Sequence, residues 1–263
     1  MKSKQYQIDA FTNRIFSGNP AAVCPLDEWL PDELLQKIAM ENNLAETAFY
    51  VKEENDFRIR WFTPVVEVDL CGHATLAAGH VLFNHEHISA SKIVFHSRSG
   101  PLTVSRKNEF LTLDFPTDTL EQIEFFPGLT DAFEVKPIQA FRGKTDYMLV
   151  FESENEIRNC QPDFSILATL STRGVIVTAK GDQSDFVSRF FAPRSGINED
   201  PVTGSAHTSL IPYWAKILHK NELTAIQLST RKGHLTCKYL NDRVEISGQA
   251  RTFLVGTIET DDL

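Results

Sequence analysis

The sequence predicts an α+β protein of two similar domains, each a bent, mostly antiparallel, barrel-like sheet wrapped around a central helix. Two repeated segments predict the duplication: RWFTP at 60–64 returns as RFFAP at 189–193, and RSGPLT at 98–103 returns as RKGHLT at 231–236. These landmarks keep their order in both halves, and their period is far longer than the ~20–50 residues of a solenoid repeat. The duplication therefore covers the whole chain.

Short segments rich in β-branched and aromatic residues dominate both halves, and Gly, Pro, Asn or Asp bound them. Such segments are typical of strands. In the first half they cover 5–10, 47–51, 57–62, 92–95, 102–106 and 110–115. In the second half they cover 138–141, 147–151, 174–178, 186–191, 226–229, 235–239 and 243–246.

Each half also contains one long helical candidate, over 72–84 and over 203–218. Both are apolar on most sides, which indicates helices that other elements surround. Shorter helical patterns begin after Pro31 and Pro162. The chain is predicted to pass between domains near Pro116, where a strand ends. The predicted domains are 1–116 and 117–263, and the tail 248–263 can pack on either one.

The composition argues against several kinds of partner. The 263 residues include 35 acidic and 26 basic side chains, a formal charge of -9. That balance disfavours nucleic acid and anionic membranes, whose binding needs a basic surface. No apolar run reaches the ~18 residues of a membrane span, and the N-terminus lacks a signal-peptide pattern. Four cysteines without a CxxC pair favour a reducing compartment, so the predicted location is the cytoplasm.

A glycine stands near the start of each long helical candidate, Gly72 in the first half and Gly204 in the second. If an approximate two-fold axis relates the halves, both helices point their amino ends into a cleft between the domains. Helix N-termini offer unpaired N–H groups and partial positive charge, which suit a substrate carboxylate. The alternative is that each glycine only eases a tight turn.

Reactive side chains cluster around these glycines in the sequence. His73 follows the first glycine, and Ser205 follows the second at the matching repeat position. Asp200 precedes the second glycine by four residues, and Glu46 stands at the entrance of the predicted strand 47–51. A single Glu or His is more often solvent-exposed or merely hydrogen-bonded, so only the combination indicates a catalytic site.

Four motifs together resemble those of the PhzF family, the phenazine-biosynthesis-like isomerases of the diaminopimelate-epimerase fold superfamily. They are GNP at 18–20, NLAET at 43–47, CGHAT at 71–75 and DPVTGS at 200–205. The resemblance implies a cofactor-free enzyme that forms a homodimer. Ala45 stands where relatives often carry Ser, which puts an anthranilate-type substrate in doubt.

The resemblance also implies a role for each candidate residue. It makes Glu46 the acid/base that transfers the proton. Assistance comes from His73 and Asp200. The implied substrate-binding residues are Asn19, Gly72, Gly204 and Ser205.

The sequence therefore predicts a cofactor-independent isomerase or epimerase acting on a small carboxylate-bearing metabolite. One alternative is a cysteine-based racemase using Cys71, although its repeat partner, Thr203, is no base near neutral pH. Another is a non-catalytic protein that binds a metabolite or a protein partner. No nucleotide-binding motif or zinc signature occurs. The resemblance implies that the enzyme needs no cofactor, and no metal is predicted.

Overall fold

The computed structural model describes residues 2–260 and divides into two compact units. The first unit comprises the described residues up to Asp114 together with those from Ser247 onward. The second unit is Phe115–Ile246. The predicted α+β class is confirmed, with strands as the more abundant elements.

Strands and helices alternate irregularly along the chain. Up to the boundary the elements are β1 (Lys2–Ala10), β2 (Asn19–Leu26), α1 (Asp32–Asn42), β3 (Glu46–Glu53), β4 (Asp56–Phe62), β5 (Glu67–Val68), α2 (Gly72–Asn84), β6 (Lys92–Ser97), β7 (Gly100–Lys107) and β8 (Phe110–Pro116). They continue with β9 (Glu121–Ile123), β10 (Gln139–Arg142), β11 (Asp146–Val150), α3 (Glu154–Asn159), α4 (Phe164–Leu167), β12 (Gly174–Lys180), β13 (Phe186–Phe191), a 3-10 turn (Pro193–Ser195), α5 (His207–Leu218), β14 (Glu222–Gln227), β15 (Gly233–Tyr239), β16 (Arg243–Gly248) and β17 (Ala250–Glu259).

Both units repeat one order of strand pairing. In the first unit β1–β2 is antiparallel, β2–β3 parallel, β3–β4 antiparallel, β4–β6 parallel and β6–β7 antiparallel. In the second unit β10–β11, β11–β12, β12–β13, β13–β14 and β14–β15 follow the same alternation. The duplication read from short sequence repeats therefore extends to the backbone topology within each unit.

The tail of the chain belongs to the first unit. Strand β17 pairs antiparallel with β1, from Lys2 opposite Glu259 to Ala10 opposite Ala250. The sequence predicted a second domain of 117–263 and left the packing of the tail open. The structure places the tail in the first unit, because this long ladder joins it to β1.

Helix α2 is the central helix of the first unit. Twelve of its thirteen residues are buried, and it contacts β1, β2, β3, β7 and β17. At Gly79 an added Cβ would lie 2.7 Å from Cγ1 of Val104, so any side chain there would force α2 or β7 to shift. The observed bounds match the predicted 72–84. The helix is enclosed by strands, as expected for a helix that is apolar on most sides.

Helix α5 of the second unit begins later than the sequence predicted. It starts at His207 rather than near 203 and contacts β14 and β15. A tight turn precedes it, in which the N–H groups of His207 and Thr208 donate to the carbonyls of Gly204 and Ser205, both at 3.1 Å. The second glycine therefore lies one turn before the helix.

In each unit the segment that precedes the helix-start glycine, Gly72 or Gly204, is held by an ion pair of the same type. Arg60 Nε donates to Glu67 Oε1 at 2.7 Å, and Arg189 Nε donates to Glu199 Oε1 at 2.7 Å. Each guanidinium also stacks on the aromatic ring two residues further along its strand, at 5.1 and 5.0 Å. Such bidentate, partly buried pairs orient a loop firmly, because guanidinium and carboxylate match in shape.

None of the helices within residues 2–260 is long and apolar enough to cross a membrane.

Candidate active site

The first unit brings Glu46 and His73 together. Glu46 is the first residue of β3, and its side chain is 15% exposed. His73 is the second residue of α2, and its side chain is 4% exposed. The Nε2 atom of His73 lies 3.3 Å from Oε2 of Glu46, although the N–H is not aligned with that oxygen. Catalytic hydrogen bonds are often this loose before substrate binds.

The imidazole of His73 is held in one neutral form. The Nδ2 amide of Asn19 lies 3.1 Å from Nδ1 of His73, and the Cys71 sulfur lies 3.5 Å from the same nitrogen. An amide N–H only donates, so Nδ1 accepts and the ring proton lies on Nε2, facing Glu46. Burial lowers the pKa of His73 to about 3. The ring therefore faces Glu46 as an uncharged donor near neutral pH.

A strained loop between β1 and β2 places Asn19. Phe11 and Phe16 have φ values of 60° and 66°, an unusual conformation for aromatic residues. Gly18 has φ +67°, and an added Cβ there would lie 2.1 Å from the carbonyl oxygen of Ala10. Only glycine fits that position, which explains the GNP motif structurally. Strain of this kind concentrates at functional sites.

The second unit contains the other group of predicted site residues. Thr203 Oγ1 donates to Oδ2 of Asp200 at 2.5 Å. Gln227 is fully buried; its Oε1 accepts from the Thr203 amide at 2.8 Å, and its Nε2 donates to the Asp200 carbonyl at 2.8 Å. The side chain of Gln227 therefore fixes the segment that leads to Gly204 and Ser205.

Both helix starts present backbone donors. No described residue accepts a hydrogen bond from the N–H groups of residues 72–74, ahead of the first helical bond of Thr75 to the Cys71 carbonyl. The same holds for the N–H groups of residues 204–206 in the turn before α5. Groups of this kind bind anions, since several N–H dipoles converge on one point.

Comparison with known proteins identifies the family. The family model described as phenazine biosynthesis-like protein matches residues 8–256. The chain belongs to this family. An uncharacterized isomerase of Pseudomonas aeruginosa is 54% identical, over 98% of this chain and 99% of that protein. The resemblance inferred from the four sequence motifs is confirmed.

Solved structures agree with this assignment. The crystal structure of a PhzF-family phenazine biosynthesis protein from Enterococcus faecalis has a TM-score of 0.96 and 48% identity, covering 99% of this chain and 100% of that one. A hydroxyproline epimerase from Agrobacterium vitis, with 9% identity, has a TM-score of 0.66 over 99% of this chain and 93% of that one. This second likeness is one of fold alone.

In this family member the predicted site residues form two groups. The first unit holds Asn19, Glu46, Gly72 and His73, and the second holds Asp200, Gly204 and Ser205. Their catalytic and binding roles stay predictions, as does a cleft that would unite them.

One group of side chains in the first unit has metal-binding donors. Among residues 2–260, Glu46, Cys71 and His73 are the group of three whose ligand atoms all lie within 4.8 Å of one another. Carboxylate, thiolate and imidazole are donors that zinc accepts. The function proposed below assigns two of these residues to proton transfer and uses no ion.

Sequence reasoning missed two residues that contact the second group. Gln227 lies on β14, far along the chain from the segment that it fixes, and no local pattern marks it. Arg173 donates from Nη1 to Ser205 Oγ at 2.9 Å. Its place in the internal repeat was a usable signal, because it stands just before the strand that matches β3.

Proposed function

We propose that this phenazine biosynthesis-like family member is a cofactor-independent isomerase or epimerase that moves a proton on a small carboxylate-bearing metabolite. The observation that carries the proposal is the contact between a largely buried Glu46 and a neutral His73 that Asn19 orients. The Pseudomonas aeruginosa relative that is 54% identical is named an isomerase, which supports the reaction class.

In the proposed mechanism Glu46 is the single acid/base. Its carboxylate takes a proton from one carbon of the substrate and returns it to another carbon on the same face, whereas epimerisation would also need a second acid on the opposite face. No electrons leave the substrate, so no redox cofactor is required. The Nε2–H of the uncharged His73 stabilises the negative charge, which lies on the Glu46 carboxylate before proton transfer and on a substrate oxygen after it.

The remaining residues are proposed to bind or position. The amides beginning at Gly72 and Gly204, with the hydroxyl of Ser205, hold the carboxylate of the substrate. Asp200, whose carboxylate Thr203 orients, assists or positions the proton. Asn19 acts on the reaction through His73.

Deuterium exchange tests the role of Glu46. Candidate amino and hydroxy acids are incubated in heavy water with the wild type and with Glu46→Gln, and exchange is followed by NMR and mass spectrometry. The substitution is expected to lower exchange by roughly 10²–10⁴-fold, the usual loss when a general base is removed. Exchange that survives the substitution would remove Glu46 from this role.

A matched control lies at the other end of the same strand. Glu53 ends β3, and its carboxylate is 3.7 Å from exposed Arg58. Glu53→Gln makes the same chemical change and is expected to leave exchange within about 2-fold, because exposed ion pairs contribute little. Absence of exchange by the wild type across a broad panel would favour the non-catalytic binding protein.

A cysteine mechanism is the second candidate, and one observation favours it. Cys71 is the N-cap residue of α2, and its sulfur lies 3.5 Å from Nδ1 of His73. A helix N-terminus favours a thiolate. If Cys71→Ala abolishes exchange while Glu46→Gln retains it, the thiol is the acid/base.

A further inference from the structure

Strand β12 of the second unit is the counterpart of β3 in the first. Thr47 pairs with Phe62 across β3 and β4, and Val175 pairs with Phe191 across β12 and β13. The two phenylalanines occupy the same place in the repeated RWFTP and RFFAP segments. The two strands can therefore be compared residue by residue.

This comparison matches Glu46 with Gly174, since each immediately precedes one of the paired residues. Position 174 has no room for a side chain, because an added Cβ would lie 2.3 Å from Cζ of Phe190. The neighbouring residue, Arg173, provides the functional group at this end of β12.

The side chain of Arg173 contacts the counterpart of His73. Ser205 is that counterpart, since each of the two follows the glycine at the start of its helical segment. In the first unit His73 Nε2 lies 3.3 Å from the Glu46 carboxylate. In the second unit Arg173 Nη1 donates to Ser205 Oγ at 2.9 Å. The duplicated position thus carries a guanidinium and a hydroxyl in place of a base and an imidazole.

The guanidinium of Arg173 is fixed on several sides. Nε donates to Oδ1 of Asp146 at 2.9 Å, and Nη2 donates to Oδ2 of the same carboxylate. The side chain of Asp146 is 5% exposed. Phe190 stacks against the guanidinium at 5.1 Å. Because arginine only donates, the Ser205 oxygen must accept from it, and the hydroxyl proton of Ser205 points elsewhere.

We propose that Arg173 is a positioning residue that makes Ser205 a hydrogen-bond donor to the substrate carboxylate, beside the amides of residues 204–206. This inference rests on the proposed function in taking a carboxylate as the anionic group. Asp146 balances the charge of the guanidinium, so the donors are dipoles rather than a free cation. Such a site suits an anionic carboxylate better than its neutral amide, because N–H and O–H dipoles favour negative charge.

Binding of two probes tests this proposal without catalysis. Benzoate and benzamide are titrated into isotopically labelled protein, and backbone amide shifts of residues 204–206 are followed by NMR. We expect benzoate to bind at this turn and benzamide to bind at least about 10-fold more weakly. Absence of saturable benzoate binding, or equal binding of benzamide, would overturn the proposal.

A double-mutant cycle separates positioning from direct contact. Arg173→Lys and Ser205→Ala are each expected to weaken benzoate binding about 10-fold, as for a lost hydrogen bond to a charged group. With Ser205→Ala already present, Arg173→Lys should cost less than about 2-fold, because it then has no hydroxyl to orient. Equal cost in both backgrounds would show that Arg173 does not act through Ser205.

Two further variants keep the cycle interpretable. Ser205→Thr retains the hydroxyl and should retain benzoate binding, whereas a loss equal to that of the alanine variant would contradict a donor role. Arg194 donates from Nη1 to the Leu170 carbonyl at 2.9 Å, so Arg194→Lys is the matched arginine control and should bind benzoate normally. The cycle is repeated with Glu46→Gln, so failure of the proposed acid/base leaves its outcome readable.

Discussion

At the scale of single residues, the site depends on which nitrogen of His73 carries the proton. Asn19 and Cys71 both lie against Nδ1, which directs the Nε2–H toward Glu46. Burial lowers the pKa of His73 to about 3, so the ring does not compete with Glu46 for the proton being moved. Asn19 therefore fixes the tautomer of His73, although it takes no part in proton transfer itself.

Replacing Asn19 by aspartate reverses this arrangement. A carboxylate accepts, so it requires a proton on Nδ1 and favours the charged ring. Asn19→Asp is therefore expected to raise the pKa of His73 and to lower exchange by at least about 10-fold. Nitrogen-15 NMR of the imidazole checks the tautomer, with Nε2 protonated in the wild type and Nδ1 protonated in the variant.

A matched control lies at the other end of α2, the helix that carries His73. The Nδ2 amide of Asn84 lies 3.0 Å from Nδ1 of His80, the same type of contact as at the site. Asn84→Asp should perturb His80 while exchange stays within about 2-fold. Equal loss of exchange in both variants would show that a carboxylate placed beside a histidine of α2 damages the fold rather than the proton transfer.

At the scale of elements, the sequence predicted what local patterns determine. Helix α2 was predicted over its observed bounds because its residues are apolar on all sides. The start of α5 was misplaced because the turn at 203–206 is held by Gln227, which lies on another element. Arg173 was missed for the same reason, since its contact with Ser205 joins residues that are distant in sequence.

Tight packing of α2 against β7 gives a prediction of definite sign. Alanine has a higher helix propensity than glycine by about 1 kcal/mol, so Gly79→Ala alone would be expected to stabilise the helix. Its Cβ, however, would lie 2.7 Å from the fully buried Val104. Overpacking costs about 1–3 kcal/mol, so we expect the free energy of unfolding to fall by about 1 kcal/mol. Urea denaturation followed by circular dichroism measures this change.

The double variant supplies the control for this prediction. Val104→Ala removes the two methyl groups nearest the new Cβ and leaves a cavity, which destabilises the fold by itself. In that background Gly79→Ala partly fills the space and should raise the free energy of unfolding. A stabilised single variant, or additive losses in the double variant, would show that the helix has room to move.

At the scale of the whole molecule, three buried histidines connect stability to pH. Burial lowers the pKa of His73 to about 3 and the pKa values of His80 and His207 to about 4. The first two lie in the first unit and the third in the second. The cytoplasmic location predicted from the cysteines stays a prediction, as does the homodimer that the family resemblance implies.

Acidification is therefore expected to destabilise both units well above the range where most carboxylates titrate. In an unfolded chain these histidines have a pKa near 6.5 and bind protons that the folded chain excludes. Their stabilising effect is complete above pH 6.5 and is lost as pH falls toward the folded values. Each contributes a slope of about 1.4 kcal/mol per pH unit near pH 5 to the free energy of unfolding.

Melting temperatures measured between pH 7 and pH 5 should therefore fall as pH falls, and a flat profile would contradict the burial of these rings. His80→Gln should reduce the slope, because it removes one of the three buried rings.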